Sequence, residues 1–234
     1  MLLADAGMSA LGGLALASAL FVGSHFLLSH PLRAVVVARL GEKGFSLVYS
    51  VVALAALVAM SWTYGAAADA APVPVWDAGQ AGWIAATLLM WFGSILFVGS
   101  LRRNPAFPRP GAPVTSIDPA RGVFAISRHP MNWGFALWAV VHIIANPTPA
   151  SLIVSGAILI LAIGGSVGQD IKKERLLGEV WREWKSRTAF VPFGKGLALP
   201  DGFAFIAGTI LWLVATYAHG ALGYRGAGIW HWFG

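Results

Sequence analysis

Residues 129 to 169 read HPMNWGFALWAVVHIIANPTPASLIVSGAILILAIGGSVGQ and contain no lysine, arginine, aspartate or glutamate. This run is much longer than the roughly 20 residues with which one helix crosses a bilayer. The sequence Asn-Pro-Thr-Pro at 146–149 interrupts it, and each proline removes a backbone donor and biases the residue before it away from the helical region. The run therefore predicts two membrane helices, over residues 130–146 and 150–169.

The rest of the chain contains further uncharged runs of membrane-spanning length. Of all residues, 57% are hydrophobic and only 11% are charged, whereas about 25% of residues are charged in an average soluble domain. We therefore predict an all-α, polytopic integral membrane helical bundle with about six transmembrane helices, in one domain over residues 1–234. The remaining helices are expected at residues 8–30, 45–68, 78–101 and 202–224.

The basic residues predict the orientation of these helices. They follow the first, third and fifth predicted helices and comprise Arg33, Arg39 and Lys43; Arg102, Arg103, Arg109, Arg121 and Arg128; and Lys172, Lys173, Arg175, Arg182, Lys185, Arg187 and Lys195. Only Arg225 falls on the opposite side. Since cytoplasmic loops carry the positive excess, both termini are expected on the non-cytoplasmic side of a multi-pass inner-membrane protein. The net charge of +6 is then topological, and no nucleic-acid partner is expected.

Between the fifth and sixth predicted helices lies the charged segment GQDIKKERLLGEVWREWKSRTAFVPF, residues 168–193. Its apolar residues recur at helical spacing among charged ones, which predicts an interfacial amphipathic helix. The charges that begin with Asp170 are interpreted either as a solvated face with ion pairs between successive turns or as a lid over a cofactor entrance.

Two histidines, His25 and His142, lie within predicted membrane helices. An ionisable side chain in hydrocarbon is expensive and is by default a functional-site hypothesis. The alternatives are an interhelical hydrogen bond and ligation of a metal that both histidines share. The chain contains no cysteine, which excludes disulfides, iron–sulfur clusters and covalently attached haem. Any metal must be bound by histidine, carboxylate or other oxygen ligands.

Four segments carry a resemblance to a known family. They are FVGSHFLLSHPLR (21–33), ARLGEKGFSLVYS (38–50), GVFAISRHPMNWGFALWAVVHIIAN (122–146) and SRTAFVPF (186–193). Together they resemble the NnrU family of membrane proteins, which is similar to the plant and cyanobacterial 15-cis-zeta-carotene isomerases. The resemblance implies that haem b is bound within the membrane, with His25 and His142 as axial iron ligands, and that a polyene double bond is isomerised.

Three further positions follow from the implied haem site. Arg33 and Arg128 are expected to pair with the haem propionates, and Trp138, one turn before His142, is placed to pack on a porphyrin face. The isomerases carry a cysteine three residues before the haem histidine, where this chain has Ala139. A switch to a thiolate ligand is therefore impossible here.

A second, more distant resemblance involves residues 128–134, RHPMNWG. This segment is similar to the ArgHisProXTyrXGly motif of isoprenylcysteine carboxyl and phospholipid methyltransferases, which bind S-adenosylmethionine, although Asn132 replaces the tyrosine. The alternative is that this segment has only a structural role, as a helix start whose arginine anchors the cytoplasmic side. The candidate functions are thus a redox-dependent isomerase of a lipophilic polyene, an accessory factor in nitrogen-oxide metabolism, an S-adenosylmethionine-dependent methyltransferase, and a non-catalytic haem sensor or assembly factor. The expected partners are the lipid bilayer and a lipophilic substrate or small gas ligand; catalytic residues and oligomeric state stay open.

Overall fold

The computed structural model describes residues 2–107 and 114–233, so Arg109 lies outside the described residues. Within them the chain forms eight α-helices and a final 3-10 helix, with no β-strand. The helices are α1 (Leu2–Ser29), α2 (Arg33–Ala70), α3 (Gly79–Gly99), α4 (Val123–Ile126), α5 (Pro130–Ala145), α6 (Pro149–Leu177), α7 (Glu179–Arg187) and α8 (Gly202–Ala221), followed by the 3-10 helix Ile229–Trp232. The predicted all-α class is confirmed.

Five helices in the described part of the chain are long and apolar enough to cross a membrane. They are α1 from Ser9 onward, α2, α3, α6 and α8. The apolar helix α5 has 16 residues, about 24 Å at 1.5 Å per residue, which is shorter than the hydrocarbon core of about 30 Å. A helical membrane bundle is therefore confirmed, with five helices of spanning length and a sixth that is shorter.

The second helix differs from the prediction because it begins at Arg33 and includes the basic segment before residue 45. Its 38 residues would measure about 57 Å as one straight helix, nearly twice the thickness of the hydrocarbon core. The helix is broken at Gly41, whose backbone angles are φ 69° and ψ 176°. Only glycine adopts this conformation readily, so Gly41 separates the basic first section from the membrane-spanning section.

The charged segment also differs, since α6 continues to Leu177 and does not end at residue 169. Gly178, with φ 55°, separates α6 from the amphipathic helix α7. The apolar side of α7 carries Trp181 and Trp184, and both are buried in the protein core. The amphipathic helix is therefore present where the sequence predicts it, but these two aromatic side chains are covered by protein and do not face lipid.

The chain divides into two compact units. Unit 1 comprises Met1–Ala78 and His142–Leu161, and unit 2 comprises Gly79–Val141 and Ala162–Gly234. The core of unit 1 is built by α1, α2 and the first part of α6; its buried members are Leu14, Ala17, Phe21, Met60, Ala67 and Ala150.

Unit 2 is organised around close contact between α3 and α8. The backbone of α3 approaches Gly208 so closely that an added Cβ atom would lie 2.5 Å from Ile95 Cα. Trp91 Nε1 donates a hydrogen bond to Thr209 Oγ1 at 2.9 Å beside this contact. Around it lies the core of the unit; its buried members are Ile95, Leu96, Ala106, Ile117, Val123, Phe124, Ile126, Trp181, Trp184 and Ala204.

The C-terminal tail folds back onto α3 and α8 within unit 2. The imidazole of His231 stacks on the indole of Trp83 with 4.0 Å between ring centroids, and Trp212 Nε1 donates to the carbonyl of Ala227 at 3.1 Å. The guanidinium of Arg225 lies 6.0 Å from the centre of the Trp83 ring. The tail is therefore held by aromatic contacts and hydrogen bonds.

Docking of this tail is expected to weaken in acid. Burial and the nearby Arg225 charge lower the pKa of His231 below its ordinary value of 6.5, so the docked tail favours the neutral imidazole. The docking contribution is complete above pH 6.5 and falls as the pH drops below that value toward the folded-state pKa. Limited proteolysis of the tail across this range measures the effect. A His231→Gln variant with the same pH dependence would show that another group is responsible.

Candidate functional site

His25 is half-buried in unit 1, just before the last turn of α1. Its Nδ1 lies 2.6 Å from the carbonyl oxygen of Phe21, one turn earlier. The imidazole packs against the Phe21 ring at 4.4 Å and meets the Tyr49 ring of α2 edge-on at 5.5 Å. In the neutral imidazole, this short contact with a carbonyl oxygen places the hydrogen on Nδ1 and the lone pair on Nε2.

The same local bond occurs at His219 in α8, where Nδ1 lies 2.7 Å from the carbonyl oxygen of Ala215. A bond to the carbonyl one turn earlier therefore orients a helical histidine without marking it as a ligand. At His25 the bond is accompanied by two aromatic neighbours, Phe21 and Tyr49. His219 is consequently a matched control for experiments on His25.

His142 is half-buried in the last turn of α5, three residues before this helix ends. It also belongs to unit 1. The loop charges predict that α1 ends at the cytoplasmic side and α5 at the opposite side. Because both histidines lie near the ends of their helices, they are expected at different depths in the membrane. A shared iron would require the two helices to be offset along the membrane normal.

Arg33 begins α2 in unit 1, eight positions after His25. Its Nη2 donates to both carboxylate oxygens of Glu42, at 2.8 and 2.7 Å, and its guanidinium lies 5.2 Å from the centre of the Phe45 ring. Glu42 is exposed. Exposed ion pairs contribute about 0 to 1 kcal/mol, so Arg33 can exchange Glu42 for another carboxylate at little cost.

Arg128 lies in unit 2 and forms a buried, bidentate pair with Asp170 of α6. Its Nη2 and Nε donate to Asp170 Oδ2 at 2.7 and 2.9 Å, and Nη1 donates to the carbonyl of Thr188 at 3.1 Å. The two side chains are only 10% and 9% exposed. Trp181 Nε1 adds a hydrogen bond to Asp170 Oδ1 at 3.2 Å. Both charges are therefore paired inside unit 2.

The next residue, His129, has no exposed side-chain surface. Its Nδ1 lies 3.1 Å from Gln169 Oε1. Its Nε2 lies 3.1 Å from Asp170 Oδ1 but makes no aligned hydrogen bond. We call Arg128, His129, Gln169, Asp170 and Trp181 the polar cluster.

The start of α5 also binds the chain that follows α7. The amide of Arg128 donates to the carbonyl of Ala189 at 2.8 Å. Ser127 Oγ and Trp133 Nε1 donate to the carbonyl of Phe190 at 2.7 and 2.8 Å. The segment around residue 190 is thus attached to the ArgHisPro turn by backbone and side-chain bonds.

A family model described as NnrU protein matches residues 13–226. The chain belongs to the NnrU family. The match continues beyond residue 193, where the segments that resemble this family end. No curated protein and no solved structure has a significant match to this NnrU chain.

The predicted site residues of this NnrU protein separate between the two units. His25, Arg33 and His142 belong to unit 1, whereas Arg128 and Trp138 belong to unit 2. Within residues 2–107 and 114–233, no group of three or more histidine, cysteine, aspartate or glutamate side chains could hold a metal ion. A haem site needs fewer protein ligands, because the porphyrin supplies the other iron ligands.

Asp170 is the main residue whose role was not predicted. Because it ends an apolar run and precedes Lys172, Lys173 and Glu174, the sequence predicts that it begins either a solvated charged face or a lid over a cofactor entrance. The structure buries it against Arg128 and His129. The sequence does contain a signal for this burial. Asp170 directly follows the uncharged run that ends at Gln169, and a charge so close to a membrane segment requires a partner.

Proposed function

We propose that this NnrU family member is a haem b-binding, multi-pass protein of the inner membrane, with His25 as a principal iron ligand. The observation that carries the proposal is the setting of His25: its Nδ1 faces the carbonyl of Phe21 at 2.6 Å, and its ring packs against the rings of Phe21 and Tyr49. Histidines that bind metals usually donate their other ring N–H to a carbonyl or a carboxylate. The Nε2 lone pair of His25 is then available to iron, and neutral imidazole is a common axial haem ligand.

His142 is proposed as the second axial ligand, on the strength of the family resemblance and its membership of the same unit. It is the part of the proposal that the helix positions favour least, because a shared iron requires α1 and α5 to be offset. Trp138 lies one turn before His142 on the same helix. We propose that it packs on the porphyrin. Fully buried Ala139 excludes a cysteine ligand at that position.

We propose that Arg33 pairs with a haem propionate and that Arg128, which the sequence also suggests for this role, does not. Arg33 belongs to the same unit as His25 and pairs with exposed Glu42, which a propionate can replace. Arg128 would have to leave Asp170 as an unpaired, buried carboxylate, and breaking a buried pair in this way costs about 3–5 kcal/mol. The two arginines therefore differ in how readily they can change partners.

Bound haem would supply a redox-active iron within a low-dielectric environment. This chain's residues would bind and orient it: His25 through Nε2, Phe21 by holding the imidazole, and Arg33 by neutralising a propionate. We propose that the function served is redox-dependent cis–trans isomerisation of a lipophilic polyene, in line with the resemblance to carotene isomerases. An accessory role in nitrogen-oxide metabolism and a non-catalytic haem sensor or assembly factor are the competing functions.

An optical spectrum of the detergent-purified protein tests haem binding. We expect a Soret band, with sharp α and β bands after reduction, that His25→Ala abolishes or strongly weakens. The matched control His219→Ala should leave the spectrum unchanged, since this histidine makes the same local hydrogen bond but is not proposed as a ligand. A spectrum that is insensitive to His25→Ala would exclude His25 as the ligand.

His142→Ala tests the second ligand separately. If His142 is axial, this variant should become five-coordinate and bind carbon monoxide or nitric oxide more readily than the parent protein. An unchanged spectrum would exclude His142 as an iron ligand and would leave the assignment of His25 unaffected. Product analysis with a cis-polyene distinguishes an isomerase from a sensor.

The methyltransferase alternative is less well supported, because the arginine and histidine side chains of its motif are engaged within unit 2. Arg128 donates to Asp170 and Thr188, and His129 faces Gln169 and Asp170. Calorimetric titration with S-adenosylmethionine is expected to show no binding. A colourless protein that binds this compound would reverse the order of the two proposals.

A further inference from the structure

Residues 191–200 belong to the loop that connects α7 to α8, and they present two leucines almost completely to the surroundings. Leu197 and Leu199 are 95% and 85% exposed, whereas Ala198 packs against the core of unit 2. The two leucines are therefore directed away from the protein, on either side of the one residue that packs against it.

The loop is held in this conformation by several contacts. The amide of Phe193 donates to the carbonyl of Ile126 at 2.9 Å, and the amide of Gly196 donates to the carbonyl of Phe193 at 3.0 Å. The ring of Phe193 stacks on Phe92 with 5.6 Å between centroids, and its φ is 65°. A bulky residue keeps such a backbone angle only where its surroundings impose it. The leucines are thus presented by an organised loop.

The charge of the loop indicates what it contacts. Lys195 is its one charged residue and is exposed. The neighbouring Asp201 uses its carboxylate to cap α8, accepting a hydrogen bond from the amide of Ala204 at 2.9 Å. Apolar side chains beside an exposed lysine are typical of segments at the boundary between lipid headgroups and acyl chains, where the lysine extends toward the phosphates.

The position of the loop is consistent with contact to lipid, because α8 begins at Gly202 and is long and apolar enough to cross a membrane. A chain reaches at most about 3.5 Å per residue, so Leu199 lies within about 11 Å of Gly202 and Leu197 within about 18 Å. The headgroup region on each side of the hydrocarbon core is about 5–8 Å thick. The two leucines are therefore within reach of the surface at which α8 enters the bilayer.

We propose that residues 191–200 form a membrane-interface anchor, in which Leu197 and Leu199 insert into the acyl boundary of the bilayer and Lys195 lies at the level of the headgroups. The anchor would fix the depth of unit 2 at the start of α8. This inference is independent of haem binding. It commits to lipid as the occupant of the exposed apolar side of the loop.

Single-cysteine labelling tests the anchor, because the chain has no cysteine of its own. Leu197→Cys and Leu199→Cys are spin-labelled in vesicles of phosphatidylcholine and phosphatidylglycerol, and collisions with oxygen and with a water-soluble nickel chelate are measured. Both substitutions fall on exposed side chains and should leave the fold intact. The water control is Glu183→Cys, whose native side chain is 63% exposed on α7, and the lipid control is Val214→Cys, 61% exposed on α8.

The ratio of oxygen to nickel collisions at positions 197 and 199 should be several-fold higher than at position 183 and should approach that at position 214. A ratio equal to that of the Glu183 control would place the leucines in water. Protection from both reagents would mean that protein covers them, in a second copy or another partner. Either of these two results overturns the proposal.

Discussion

Replacing Asp170 with asparagine is expected to destabilise unit 2 by about 3–5 kcal/mol, the usual cost of removing one partner of a buried ion pair. Arg128 would keep its charge in an enclosed position, and the hydrogen bonds from its guanidinium would lose their anionic acceptor. Trp181, which donates to Asp170 at 3.2 Å, would also lose its charged acceptor. Denaturant unfolding in detergent measures the loss of stability.

Glu183→Gln is the matched control for Asp170→Asn. It also removes one carboxylate charge, but Glu183 is exposed and lies 3.6 Å from Arg187, so a change of about 0–1 kcal/mol is expected. The double variant Arg128→Gln/Asp170→Asn should be less destabilised than the sum of its single variants, because neither charge is left alone. If Asp170→Asn behaves like Glu183→Gln, the polar cluster does not stabilise unit 2.

Gly208→Ala is expected to destabilise the α3–α8 contact by about 1–3 kcal/mol or more, the cost of inserting a methyl group where there is no space. The added Cβ would lie 2.5 Å from Ile95 Cα and 2.9 Å from Ile95 N. These are backbone atoms, which cannot rotate away. Membrane helices associate largely through such close packing of small residues. Loss of the Trp91 hydrogen bond to Thr209 should accompany the change.

Gly220→Ala is the control on the same helix, because its added Cβ would have no neighbour within 4 Å apart from the adjoining backbone of α8. Both substitutions gain helix propensity, worth about 1 kcal/mol, so their difference isolates the clash. Gly220→Ala should be neutral or slightly stabilising in thermal unfolding. Equal midpoints for the two variants would mean that α3 and α8 move apart at no cost.

The helices follow largely from the sequence. The break at Asn146-Pro147-Thr148-Pro149 predicts helices over residues 130–146 and from residue 150, and the structure has α5 ending at Ala145 and α6 beginning at Pro149. This agreement has a local cause, since a proline disfavours helical structure at its own position and at the residue before it. The predicted end of α6 at residue 169 is wrong by eight residues, because the helix continues past the first charged residue to Leu177.

Composition and spacing by themselves determined that the chain is a bundle of apolar helices, where prolines divide them and which histidines lie within them. These properties depend on neighbouring residues and on the cost of burying charge in lipid. Only the tertiary structure decided that Arg128 pairs with Asp170 while Arg33 meets an exposed carboxylate, and that α3 touches α8 at Gly208. Residues 128 and 170 are far apart in the sequence, and the free energy of a buried charge depends on the partner that folding brings to it.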